Sequence, residues 1–295
     1  MKKKWLIGLG SILGVLLLIT MLCHTFKKTS PQPDEEVSST YKKKTPFAAV
    51  PTIYLHGYGA GARSTAGMIA YAQQHNGAHK VLTARISASG KVDLRGSWPR
   101  ATKRPLIQVI LQDNKNSNYY TTREWFYNLI LLLKQKYHIK YYNTVAHSMG
   151  NIMTLAYQLK YGKDSNLPRL KKQVNLGAPF NGIIGIDEEP NHNYLLKNGR
   201  PKYMTQSYKY FLMHRHSFPN NVSILNIFGN KEDGTNSDDD VSCVSAQSLR
   251  YLLRGKGKYH EIEIKGANGQ HSKLHENYKV DQIIGNFLWS KYFLF

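Results

Sequence analysis

Cysteine is scarce in this chain. Only Cys23 and Cys243 occur in 295 residues, which excludes a disulfide scaffold and any cysteine-based zinc cluster. Acid is scarce too: 19 Asp and Glu face 40 Lys and Arg, a formal net charge of +21. The excess is not gathered into one arginine-rich arm. Eight lysines and three acids lie in residues 1–44, and the larger part of the charge is spread over the rest. No zinc-finger, RNA-binding or helix-turn-helix pattern accompanies it, so nucleic acid is not the expected partner. An anionic membrane or cell-wall polymer fits a dispersed positive charge better. There are no internal repeats. At 41% hydrophobic and 20% charged residues the composition is that of a globular protein, and the length suffices for a full core without staples.

One long apolar run stands out. Lys2, Lys3 and Lys4 precede an uncharged stretch from Trp5 to Phe26. As a helix it would reach ~33 Å, enough for a ~30 Å hydrocarbon layer. It exceeds the usual apolar core of a cleaved signal, and no small-x-small cleavage site follows it. Residues 1–26 are therefore expected to be an uncleaved signal anchor, with the preceding lysines favouring a cytoplasmic N-terminus and an exported body. The alternative is a cleaved secretion signal. Residues 27–46, with Pro31, Pro33 and Pro46, have the composition of a flexible tether.

The body, residues 47–295, alternates short apolar β-rich runs with helical periods. Pro51–Leu55, Lys80–Ser87, Leu106–Leu111, Tyr142–Ala146, Gln173–Leu176, Ser223–Phe228 and His260–Ile264 read as strands. Met68–Gln74, Thr121–Tyr137, Gly150–Tyr161, Ser245–Leu253 and Val280–Phe287 read as helices. Such alternation predicts an α/β fold, a mostly parallel sheet with helices on both faces. Residues 181–220 have no clear period and carry several Pro, Asn and Gly; an insertion is expected there, either a lid or a surface excursion.

Four segments carry chemistry. Ala146-His147-Ser148-Met149-Gly150 lies between a strand and a helix, a G-x-S-x-G elbow with alanine first. Small residues two before and two after the serine leave room for the strained turn that exposes its hydroxyl at a helix N-terminus. A serine nucleophile needs a base, and the base needs an orienting acid; on this kind of sheet the chain order is Ser, acid, His. The acid is sought after the strand SILNIF. Asp238, in an Asp-x-x-Val spacing with Val241, is the best match, with Asp233 and Asp240 as competitors. The base is expected at His271 in the glycine-rich loop after the last strand, with His275 as the alternative. Finally, His56-Gly57-Tyr58-Gly59-Ala60-Gly61 follows the first strand. The backbone N–H groups of Tyr58 and Met149 are the expected oxyanion donors. Those glycines alternate, and so match neither G-x-G-x-x-G nor a phosphate-binding P-loop. His214-Arg215-His216 has no third metal ligand at suitable spacing, and the acidic loop lacks the ligand spacing of a helix–loop–helix calcium site.

Together HGYGAG, AHSMGN, LGAPFNG (Leu176–Gly182), NSDDDV and QHSKLHEN resemble the α/β-hydrolase superfamily. Within it they resemble the Gram-positive family of exported or membrane-anchored hydrolases of unknown function. The segment after the nucleophile helix is similar to that of bacterial lipases. The resemblance spans about residue 47 to the C-terminus. It implies a Ser148–Asp238–His271 triad and esterase-like chemistry with no cofactor or metal. The family pattern often has glycine after the acid, where this chain has Asp239. The expected partners are a small-molecule or lipid ester, the membrane through residues 1–26, and an anionic wall polymer. A hydrolase-fold surface protein that binds lipid or wall polymer without turnover, and an acyltransferase, are the competing expectations.

Overall fold

Runs such as Ile53-Tyr54-Leu55 and Ile224-Leu225 are buried along their whole length because both sides of the strand are covered. The computed structural model describes residues 49–291. The expected anchor and the whole of the expected tether, residues 1–46, lie outside the described residues. Within 49–291 no helix is long and apolar enough to cross a membrane.

Eight strands form one sheet in the order β3-β2-β4-β1-β5-β6-β7-β8. They are β1 Thr52–Leu55, β2 His79–Ile86, β3 Val92–Gly96, β4 Pro105–Leu111, β5 Tyr141–His147, β6 Arg169–Leu176, β7 Ser223–Asn230 and β8 Lys258–Lys265. All pair in parallel except β3, which folds back on β2 as an antiparallel edge. The helices are α1 Ala62–Asn76, α2 Tyr119–Tyr137, α3 Met149–Tyr161, α4 Gln206–His214, α5 Cys243–Leu252 and α6 Tyr278–Trp289.

Side chains alternate between two cores. Ile53, Leu55, Ala146 and Ile224 point into one, with Trp125 and Phe126 of α2, Met153 of α3, Tyr208 of α4 and Leu249 of α5. Tyr54, Val145, Val174 and Leu225 point into the other, with Met68 of α1 and Ile284 of α6. This is the mostly parallel sheet covered on both faces that the alternation of elements predicts, and it agrees with the fold that the resemblance to α/β hydrolases implies.

Two elements differ from the reading of the sequence. β3 (Val92-Asp-Leu-Arg-Gly96) carries two charges in five residues and is half exposed, so no apolar alternation marks it. The stretch expected as an insertion, 181–220, divides in two. Residues 181–205 run irregularly, tied by the isolated bridges Ile184 to Glu188 and Leu195 to Pro201. α4 then lies against the main core through Tyr208 and Phe211, too few buried positions to show a period. Its N-cap is Thr205, whose hydroxyl accepts from the Tyr208 N–H.

Asp281 in α6 is buried, and its Oδ1 has no hydrogen-bond partner among the described residues. Burial pushes its carboxyl up to about 7. The folded state therefore holds this proton to higher pH than the unfolded chain does. Stability is lost as pH rises from about 4 to about 7. Asp281→Asn is expected to raise the melting temperature at pH 8 and to leave it unchanged near pH 4. The gain has an upper limit of about 4 kcal/mol, reduced by the first-turn position, where the helix dipole favours an anion. Melting curves of both proteins at the two pH values check this.

Candidate active site

The strands end in loops that meet along one edge of the sheet. β1 pairs with β5 through Leu55 and Ala146, so the His56–Gly61 loop lies beside the turn at Ser148. β5 pairs with β6, His147 opposite Leu176. β7 and β8 follow, and their loops carry Asp238 and His271. This is the edge where a parallel sheet with crossovers gathers its functional loops.

Ser148 has φ 51° and ψ −124°, left-handed backbone that a residue with a side chain adopts at a cost of order 1–3 kcal/mol. The surroundings hold it there. Its N–H donates to the Leu176 carbonyl at 2.9 Å. The fully buried Asn151 amide donates to the carbonyls of Ser148 and Leu176, both at 3.1 Å. A methyl added at Gly57 would lie 2.8 Å from Ser148 Cβ, so that loop touches the serine only because it carries no side chain there. Among the described residues no acceptor takes the N–H of Tyr58 or of Met149, the first residue of α3. The Tyr58 side chain is 58% exposed and Met149 is buried.

Asp238 and His271 come together. His271 Nδ1 and Asp238 Oδ2 are 2.9 Å apart, both side chains buried. Asp238 Oδ1 accepts from the N–H of Val241 at 2.7 Å and of Asp240 at 3.1 Å. That is the physical content of the Asp-x-x-Val spacing. The carboxylate closes its own turn with one oxygen and presents the other to the histidine. The His271 N–H also donates to the Asp238 carbonyl at 2.8 Å. Gly177 at the end of β6 packs on the pair; a methyl there would lie 3.0 Å from His271 Nδ1 and 3.1 Å from Asp238 Oδ2.

The competitors go elsewhere. Asp233 is a surface turn residue, its carboxyl held well below the usual range by Thr235 and Lys231. Asp239 pairs with Lys231 at 2.6 Å. Asp240 lies on the far side of the imidazole, 3.7 Å from Nε2. His275 is buried against His147 rather than against an acid, ring centroids 4.5 Å apart.

The roles of His147 and His56 have no signal in the local sequence. His147 Nε2 donates to the His271 carbonyl at 3.1 Å, and the two rings are 4.6 Å apart. Burial, then the neighbouring histidines His271 and His275, hold its pKa well below the ordinary value, so it stays neutral. His56 Nε2 accepts the Leu111 N–H at 3.0 Å, which places its proton on Nδ1, donated to the Gly57 carbonyl. Both are ordinary-looking histidines within motifs, distinguishable only by their neighbours. For His271, burial alone would lower the pKa, but the hydrogen bond and charge of Asp238, with Asp240 and Asp239 beyond, outweigh it and raise it. Burial raises Asp238. The Cys243 thiol, pushed up to about 12 by burial and by nearby Glu263 and Asp238, is no nucleophile at neutral pH. Among the described residues no group of three or more His, Cys, Asp or Glu is arranged to hold a metal ion.

A strained serine at a strand–helix turn, with a buried Asp–His pair on the next loops of a mostly parallel sheet, defines an α/β-hydrolase-type site. The chain belongs to the family described as alpha/beta hydrolase of unknown function (DUF915), whose model matches residues 39–291. Among solved structures it is similar to the lin2722 gene product of Listeria innocua, 25% identical with a TM-score of 0.76, covering 83% of this chain and 95% of that one. It shares its fold with a protein from Lactobacillus plantarum named as a cell surface hydrolase. There the identity is 18% and the TM-score 0.65, over 81% of this chain and 90% of that one. No curated protein matches it.

Proposed function

We propose that this chain is an extracytoplasmic serine hydrolase of carboxylic esters, held at the membrane through residues 1–26. The observation that carries the reading is the buried His271–Asp238 pair, on the same edge of the sheet as a serine held at positive φ. In this reading Ser148 Oγ attacks the ester carbonyl while His271 Nε2 takes its proton. Asp238 fixes the imidazole with its proton on Nδ1 and stabilises the imidazolium that forms. The N–H groups of Tyr58 and Met149 hold the oxyanion, aided by the N-terminus of α3. His271 then protonates the leaving alcohol, and water repeats the cycle on the acyl-enzyme.

The surface site of action is supported by the apolar run and lysines at the N-terminus and by the name of the Lactobacillus plantarum structure, a cell surface hydrolase. Charge supports it as well. The loops that feed the strands on the edge away from Ser148 (77–78, 97–104, 138–140, 162–168, 218–222 and 253–257) carry seven Lys and Arg against one acid, Asp164. That edge suits an anionic lipid or wall surface.

The test is a panel of p-nitrophenyl acyl esters with the full chain in neutral detergent, and labelling by a serine-directed phosphonate. Turnover together with label on Ser148 is expected. A folded protein that neither turns over any ester nor takes label at Ser148 would leave the reading to a binding protein on a hydrolase fold.

A further inference from the structure

Three consecutive acids, Asp238, Asp239 and Asp240, have three different fates. The first is buried on His271 Nδ1, and the second pairs with Lys231. The third is 63% exposed at the side chain and its one ion-pair partner among the described residues is His271 Nε2, at 3.7 Å. In the hydrolase reading Nε2 is the nitrogen that serves the nucleophile and the leaving group, which puts Asp240 on the leaving-alcohol side. It is not a loosely hung side chain at its base. Its N–H donates to Asp238 Oδ1, and its carbonyl accepts the Ile184 N–H at 2.9 Å, which ties it to the irregular segment after β6.

The wider charge pattern points the same way. The loops leaving the strands on the Ser148 edge (56–61, 87–91, 112–118, 177–205, 231–242 and 266–277) carry ten acids and seven Lys and Arg, in a chain of net charge +21. The mouth of the site is thus the acidic part of a basic protein. A negatively charged leaving group would meet an exposed carboxylate at the end of the base; a cationic one would be drawn to it.

We propose that Asp240 is a specificity-determining residue and that the substrates are esters bearing a positively charged amine or ammonium group close to the scissile bond, on the leaving-alcohol side. This rests on the serine hydrolase reading above. The ammonium pairs with Asp240 Oδ2 in the complex, and this contact relieves the competition of that carboxylate for the proton on Nε2. Asp238 and Asp239 from the same loop also raise the pKa of His271, and the ring of His147 from the end of β5 and the neutral-leaning His275 lie near it. Of these, Asp240 is the exposed acid on the Nε2 side.

The experiment compares two thioesters of identical shape, 2-(trimethylammonio)ethyl thioacetate and 3,3-dimethylbutyl thioacetate, with the full chain in neutral detergent and with Asp240→Asn. The natural protein is expected to favour the cationic ester about tenfold in kcat/KM at low salt, a preference that shrinks as salt is added. Asp240→Asn is expected to bring the ratio near one. It also moves the acid limb of the pH profile on the neutral ester down by roughly half a pH unit, because an anion beside the imidazole is gone. A merely structural role for Asp240 would lower both rates together and move neither ratio nor limb. Equal rates on the two esters with the natural protein, or an unchanged ratio in the variant, would overturn the inference alone. No turnover of either ester, with no phosphonate label on Ser148, would overturn the hydrolase reading and this inference with it.

Discussion

Ser148→Ala is expected to lower kcat on any ester the enzyme accepts by on the order of 10⁴- to 10⁶-fold, the range in which loss of the nucleophile leaves only binding and oxyanion stabilisation. The fold should be unaffected. The Ser148 contacts that hold the turn are made by its backbone: its N–H to Leu176 and its carbonyl to Asn151. Alanine keeps both, and it keeps the positive φ at a similar cost. The melting temperature should therefore stay within the small range of a surface substitution. Pre-steady-state and steady-state assays beside melting curves separate the two effects. A variant that retains more than about a hundredth of the rate would mean that another group attacks.

Asp238→Asn is expected to cost about 10⁴-fold in kcat, the magnitude seen when the orienting acid of a serine protease is replaced by its amide. The reason here is specific. Oδ1 accepts two backbone N–H groups, from Val241 and Asp240, and only an oxygen can stand there. The amide nitrogen must then occupy the Oδ2 position and point at His271 Nδ1. Nδ1 becomes an acceptor, the ring proton moves to Nε2, and the base can no longer take the serine proton. Asp233→Asn, in an exposed turn with Thr235 and Lys231, should stay within about threefold of the natural rate. Comparable losses in the two variants would show that the acid had been misassigned.

Much of the site lies in short local signals. The elbow around Ser148 can be read because strand, small residue, serine and helix are adjacent in the chain. Asp238 could be favoured over Asp233 and Asp240 because the Asp-x-x-Val spacing is itself a hydrogen-bonded turn, closed by the Val241 N–H. Elements whose burial is spread thinly could not be read. β3 is an edge with charge on both sides, and α4 shows the core only Tyr208 and Phe211. His147 and His56 were invisible as structural parts, because their partners, the His271 carbonyl and the Leu111 N–H, lie 124 and 55 residues away.

By itself the sequence determined the α/β alternation and the sign of the charge, since each follows from neighbouring residues or from composition. The tertiary structure decided which acid meets which histidine, where the charge lies, and what faces His271 Nε2. Those depend on strand order: β5, β6, β7 and β8 must stand side by side before loops from residues 148, 238 and 271 reach one edge. The two neighbours Asp239 and Asp240 differ only in where the turn points them, one to Lys231 and one to His271, and no local pattern of residues encodes that direction.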